Sequence, residues 1–159
     1  MLEIREARDV DEAFLFNLYA ETRANEMSAW GWGAAEAEPF LRMQFTVQQQ
    51  SYRLQYPGAE HRLLLLQGNP AGQYRVFNGK DVIVLVDIAL MPEYRNRGIG
   101  TELLRGLQER ARKERKTVRL SVEQSNPASK LYQRLGFMTR EHRDPYSIMV
   151  WHDDQDQPG

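Results

Sequence analysis

Residues 81–101 read DVIVLVDIALMPEYRNRGIGT. The first half, Asp81 to Met91, is almost continuously apolar and rich in β-branched residues, the pattern of a strand buried on both faces of a sheet. Asp87 is the only charge between Val82 and Met91. Pro92 ends the strand, and Arg95-Asn96-Arg97-Gly98-Ile99-Gly100-Thr101 opens a helix on which Ile99, Leu103, Leu107 and Ala111 share one face as far as about Glu114. A helix start has N–H groups without intrahelical acceptors and the positive end of a dipole. Gly98 and Gly100 let an anion approach that backbone closely, and Arg95 and Arg97 add cationic donors. Together these features describe a diphosphate cradle. Taken by itself, Gly-x-Gly more often marks an ordinary helix start. A P-loop would need a Lys before Thr101, and a dinucleotide fold a third Gly after the first strand; both are missing.

Outward from this stretch the pattern alternates between short strands and helices. Residues 2–6 read as a strand, and Val10 to Ala24 as a helix with Val10, Ala13, Phe14, Leu18 and Tyr19 on one face. MSAWGWGAAEAEP, residues 27–39, reads as a loop; two Trp in a loop usually pack locally, with a ligand-facing role the minority case. A second helix runs from about Pro39 to Gln55, carries Leu41, Phe45 and Tyr52 on one face, and stops at Tyr56-Pro57-Gly58. Residues 61–67 and 73–77 form strands around a turn at Gly68 to Gly72, and Asn78-Gly79 signals a hairpin whose turn residues take positive φ. After the central helix come a strand at 117–122, a helix from Pro127 to Leu135, and strands at 137–140 and 145–151. The strand–helix–strand in the middle implies one parallel pair inside a mostly antiparallel α+β sheet. The expected organisation is a single domain over residues 1–152, then a polar tail at 153–159.

Composition narrows the chemistry. With 42% hydrophobic and 27% charged residues, the chain has the make-up of an ordinary folded domain. Twenty-one Lys and Arg against 22 Asp and Glu leave a net charge of −1, so no global basic excess calls for nucleic acid or an anionic membrane. The absence of Cys removes disulfides, Cys zinc sites and thiol nucleophiles. His61, His142 and His152 have no metal-ligand spacing, so no metal is expected. MLEIREARDV does not read as a secretory signal, and no apolar run is long enough to cross a bilayer; the expected compartment is the cytoplasm. The basic run from Arg105 to Arg119 is interleaved with Glu109 and Glu114 and reads as a solvated helix face rather than an RNA site.

A second informative stretch is Ser125-Asn126-Pro127-Ala128-Ser129-Lys130-Leu131-Tyr132-Gln133-Arg134-Leu135-Gly136-Phe137. Asn126 suits a helix N-cap, Pro127 the first helical position and Gly136 the stop, so on its own the segment needs no catalytic explanation. Tyr132 could equally be a core residue. The two stretches together resemble the GNAT N-acetyltransferase family. Arg95, Gly98 and Gly100 match its (R/Q)-x-x-G-x-(G/A) pyrophosphate motif, Leu90-Met91-Pro92 the approach to it, and Asn126, Pro127, Leu131, Tyr132, Gly136 and Phe137 its N-P-x…L-Y-x-x-x-G-F segment.

The resemblance implies an α/β/α layered fold with about seven strands, about four helices and a parallel fourth and fifth strand that splay apart. It implies acetyl-CoA as co-substrate, without a metal, and direct transfer to a primary amine without an acyl-enzyme. By carry-over, Ile88, Ala89 and Leu90 pair with the pantetheine, while Arg95, Asn96, Arg97, Gly98, Ile99, Gly100 and Thr101 hold the pyrophosphate, with Asn126 nearby. Tyr132 serves the departing thiolate. Asp87 is the first candidate base, although a structural hydrogen bond or an Arg pair accounts for it as well, and Glu123 is the second. Trp30 and Trp32 fall where the family receives its acceptor, a small-molecule or protein amine; a homodimer is an open option. The rival reading is a non-catalytic acyl-CoA sensor or a partner-binding module.

Overall fold

The computed structural model describes residues 2–153, apart from the side chains of residues 25, 26 and 34. The expected polar tail therefore lies outside the described residues, except Asp153, which pairs with Arg112 at 3.4 Å. The strands form a seven-stranded mixed sheet of order β1-β2-β3-β4-β5-β7-β6. Its members are β1 (Leu2–Glu6), β2 (Glu60–Leu66), β3 (Asn69–Asn78), β4 (Val82–Leu90), β5 (Thr117–Glu123), β6 (Met138–Arg143) and β7 (Tyr146–Trp151). Four α-helices are described: α1 (Glu12–Ala29), α2 (Ala34–Gln55), α3 (Ile99–Glu114) and α4 (Ala128–Arg134). The chain divides into two compact units, Met1–Arg75 with Asp87–Tyr94, and Val76–Val86 with Arg95–Gly159.

In the first unit β1 runs antiparallel to β2, from Leu2↔Leu66 to Glu6↔Arg62. Leu63 and Leu64 are fully buried. α1 and α2 pack through Phe16, Met27, Ala37, Leu41 and Phe45, with Phe16 and Phe45 edge to face at 5.7 Å. The expected face of α1 is corrected. Val10 is 84% exposed in a 3-10 turn at Asp9–Asp11, and Ala13 is exposed; of the expected face Leu18 is buried and Tyr19 packs beside the contact, which Phe16 and Met27 carry. The Asp11 carboxylate sets this start by accepting the Arg8 N–H at 2.8 Å and gripping Arg5 at 2.8 and 2.9 Å.

The tryptophan loop is also shorter than expected. α1 continues to Ala29, and α2 begins at Ala34 with Pro39 inside it. The Ala- and Glu-rich run favours helix on both sides of the Pro, and the Glu36 carboxylate accepts the Gly33 N–H at 3.3 Å. Hairpin chemistry is exchanged between two turns. Gln67 (φ 53) and Gly68 (φ 81) make a two-residue left-handed turn, which leaves Asn69 to Gly72 in β3. At the other end of β3, Gly79 closes the hairpin by donating its N–H to Val82 O at 2.8 Å, but without the positive φ expected of it.

In the second unit β4 pairs parallel with β5 from Val82↔Thr117 to Leu85↔Leu120. Burial on both faces is confined to Ile83, Val84 and Leu85; Val86 to Leu90 are half-buried, contrary to the expectation for the whole stretch. β5 then pairs antiparallel with β7, and β7 with β6, whose residues are all exposed. α3 buries Ile99, Leu103, Leu104, Leu107 and Ala111, as its spacing predicts. Its charged face is laced by Arg110–Glu114 and Arg112–Glu109 pairs at 3.1 and 2.6 Å. No helix among the described residues is long and apolar enough to cross a membrane.

Candidate active site

The start of α3 has the geometry its sequence suggests. Asn96 (φ 61) and Gly98 (φ 80) are both left-handed, and the first intrahelical bond runs from Glu102 N–H to Gly98 O at 3.0 Å. The N–H groups of Ile99, Gly100 and Thr101 precede the first intrahelical donor, Glu102, and so have no intrahelical acceptor. Arg95, Asn96, Arg97 and Gly98 are exposed around them. A Cβ at Gly98 would meet nothing within 4 Å, so this position needs glycine for its φ alone. A Cβ at Gly100 would meet only Leu131 Cδ2 at 3.6 Å. The protein leaves space beside both glycines, as a phosphate cradle requires.

Leu131 lies on α4 next to Tyr132, so the cradle and the tyrosine helix are neighbours within this unit. The Asn126 side-chain oxygen accepts the Ala128 N–H at 2.9 Å, and Pro127 already has helical φ. That carbonyl is thus engaged in capping α4. Tyr132 is 7% exposed and its ring packs against Phe137 at 5.9 Å. Gly136 (φ 94) stops the helix as expected, with Phe137 N–H donating to Tyr132 O at 3.0 Å. Glu123 is exposed at the end of β5, and its carbonyl accepts the Asn126 N–H at 2.9 Å.

In the first unit, Asp87 ends a directed chain of hydrogen bonds. Arg75 Nη2 lies 3.3 Å from His61 Nδ1, His61 Nε2 lies 2.9 Å from Gln73 Oε1, and Gln73 Nε2 lies 2.9 Å from Asp87 Oδ2. One end fixes every direction. A guanidinium can only donate, so His61 Nδ1 accepts and its proton sits on Nε2; Gln73 Oε1 then accepts, and its amide N–H donates to the carboxylate. Burial and the charges of Arg75 and Arg53 hold His61 at a pKa of about 4, so it is neutral at pH 7. Burial pushes the Asp87 carboxyl above the ordinary carboxylate range, against the pull of the Gln73 amide, the Arg75 charge and the Ile88 N–H. Gln73, His61 and Arg75 were not singled out from the sequence. The available signal was Gln73 and Arg75, two polar residues spaced by two within the buried middle of β3.

Ile88, Ala89 and Leu90 continue β4 as half-buried residues, and Met91 N–H donates to Ala71 O at 2.8 Å. Gly72 lies tight against them: a Cβ there would strike the Ala89 carbonyl oxygen and stand 2.7 Å from the Leu90 side chain. The two tryptophans part company. Both stack edge to face, Trp32 on Phe40 at 5.2 Å and Trp30 on Trp32 at 5.9 Å. Only Trp32 lines the cavity of about 440 Å³ bounded by Phe16, Met27, Leu41 and Arg42. Trp30 is 51% exposed. Among the described residues, no group of three or more His, Asp or Glu could hold a metal ion.

The fold is a mixed sheet with one parallel pair and a glycine-opened helix after its fourth strand. The sequence matches the acetyltransferase (GNAT) family over residues 15–137, and the chain belongs to that family. Membership makes it an acetyl-CoA-dependent N-acetyltransferase by class. Among solved structures, it resembles the PaiA N-acetyltransferase of Thermoplasma acidophilum in complex with coenzyme A, with a TM-score of 0.72, 18% identity, and 96% of this chain and 99% of that one covered. It also resembles the ribosomal-protein-S18-alanine N-acetyltransferase of Escherichia coli (TM-score 0.60, 21% identity, 95% and 93% covered). A third likeness is to a GNAT family acetyltransferase of Elizabethkingia anophelis with acetyl-CoA bound (TM-score 0.59, 13% identity, 95% and 97% covered). A search of curated proteins finds no match.

Proposed function

We propose that the chain, as one domain over residues 1–152, transfers the acetyl group of acetyl-CoA directly to a primary amine. The observation that carries this is the open backbone at the start of α3: exposed Arg95 and Arg97, left-handed Gly98, and a Gly100 whose missing side chain leaves space rather than filling it. The N–H groups of Ile99, Gly100 and Thr101 hold the pyrophosphate, with Asn96 in the turn before them and Asn126 flanking α4. The backbone of Ile88, Ala89 and Leu90 hydrogen-bonds the pantetheine. Trp32 and the cavity beside it receive the apolar part of the acceptor, and Trp30 supports Trp32.

The neutral amine attacks the thioester carbonyl carbon; the C–N bond forms and the C–S bond breaks. The ammonium proton passes to Asp87, whose burial raises its proton affinity toward what a base needs near neutral pH. Glu123 is the weaker candidate because it is exposed. The thiolate is met by the Tyr132 hydroxyl. On solution values of about 8.5 for a thiol and about 10 for a tyrosine, full transfer is mildly uphill, so a positioned hydrogen bond does much of the work. A chain without Cys has no thiol to carry an acyl group, consistent with direct transfer.

The test is thiol release from acetyl-CoA across a panel of amines, beside calorimetry on Gly100→Glu. A Cβ is tolerated at this position, so the variant should fold, and its carboxylate should abolish coenzyme A binding. Unchanged affinity would remove the pyrophosphate assignment.

A further inference from the structure

A second cavity of about 440 Å³ lies within the first unit, and its lining includes His61 and Arg75. Arg75 is only 7% exposed, yet its hydrogen bonds among the described residues all use Nη2: to Gln49 Oε1 at 2.6 Å and to His61 Nδ1 at 3.3 Å. Its guanidinium also stacks over the Tyr52 ring at 5.3 Å. Nε and Nη1 have no hydrogen-bond partner among the described residues. No fully buried side-chain nitrogen among those residues lacks a partner, so both atoms reach open space. Arg75 thus lines a cavity with a guanidinium nine-tenths buried and two donors unbonded; the Asp87 carboxyl acts on its charge at a distance, but no carboxylate among the described residues bonds it.

Arg8 and Arg53 line the same cavity, both exposed and neither in an ion pair among the described residues. Asp9 and Glu12 line it as well. With His61 neutral, three cations face two carboxylates, a net charge of +1. This balance suits one singly charged anion; a polyphosphate would meet the two acids.

We propose that this cavity is a carboxylate-binding site in which Arg75 donates from Nη1 to the ligand and Arg53 supplies the second charge. The site does not depend on the catalytic reading above. Its ligand carboxylate belongs either to the acceptor amine or to a separate small acid. Arg75 links the site to Asp87 through His61 and Gln73. Burial first, then the Arg75 charge and, more weakly, the Arg53 charge depress the His61 pKa against the opposing hydrogen bond to Gln73 and the Asp11 charge; a bound anion would offset the two arginine charges. The His61 ring is therefore the reporter.

Acetate and acetamide are titrated at constant ionic strength into labelled protein while the His61 ring resonances are followed by NMR. Acetate should give a saturable shift and raise the His61 pKa, and acetamide should give neither. Arg53→Gln changes an exposed side chain, should fold normally, and should weaken acetate about three- to tenfold, the range of a partly screened charge pair. Arg75→Met, with its fold checked, should abolish the shift. No saturable shift up to about 0.1 M acetate, an equal response to acetamide, or unchanged affinity in Arg53→Gln would each overturn the proposal. Once an acceptor is known, acetate competing with it assigns the carboxylate to the acceptor. Acetate changing kcat without competition assigns it to a separate acid.

Discussion

Tyr132 is held by packing and by its backbone, and the proposed chemistry asks for its hydroxyl. Its ring is part of the core of the second unit, packed on Phe137, and its carbonyl accepts the N–H groups of Leu135 and Phe137 that stop α4. Tyr132→Phe keeps the ring and should cost little stability, while lowering kcat about ten- to a thousandfold with acetyl-CoA affinity nearly constant. Rapid-quench kinetics that isolate the chemical step would check it; an unchanged chemical rate would return Tyr132 to a purely structural role.

At the scale of the element, the ends of α3 are opposite solutions to one problem. Its N-terminus uses Gly98 for a left-handed residue, at no steric cost. Its C-terminus puts Arg115 (φ 57, ψ 49) in the same region, where Lys116 N–H donates to Ala111 O at 2.8 Å in the manner of a Schellman cap. A β-carbon in that conformation costs roughly 1 kcal/mol or more. Arg115→Gly should therefore raise stability by about 1 kcal/mol, which urea unfolding would show as a higher midpoint at unchanged slope. A lower midpoint would mean that the arginine side chain contributes more than its backbone costs. Gly72 makes the converse case: its space, not its φ, is the constraint, because Ala89 and Leu90 pass where a side chain would be.

For the whole molecule, the buried polar chain through His61 predicts how stability follows pH. The folded-state pKa of about 4 lies below the ordinary 6.5. Between those values the unfolded chain binds the proton and the folded one does not, so stability is fully present above about 6.5 and is lost as pH falls toward 4. At roughly 1.4 kcal/mol per pH unit, this amounts to at most about 3.5 kcal/mol, and to less after solvent screening of a ring that is partly exposed. Asp11, held at about 2 by Arg5, acts below that window: its contribution is present above its ordinary value of 3.8 and fades as pH falls through about 2. Urea midpoints at pH 7 and 4.5 should differ clearly for the native chain and much less for His61→Gln, which retains a donor toward Gln73. Equal pH dependence in both proteins would show that His61 is not the group responsible.

Much of this was legible before any coordinates. Periodicity was enough for α3, a continuous β-branched run for the existence of β4, and glycine's left-handed freedom for the stop at Gly136, although β4 is buried on both faces only at Ile83 to Leu85. Gly98 and Gly136 were legible because a left-handed residue at a helix end favours glycine. The tertiary structure decided the rest. It extended α1 and α2 across the Gly-, Ala- and Pro-containing segment that local signals read as a loop, because Phe16, Met27, Leu41 and Phe45 bury one another only as a helical pair. It moved the left-handed hairpin turn from Asn78-Gly79 to Gln67-Gly68, where strand pairing leaves two residues for the connection. It also joined Arg75, His61, Gln73 and Asp87, which are spread over three strands; no sequence spacing encodes that chain, because cross-strand neighbours are set by register.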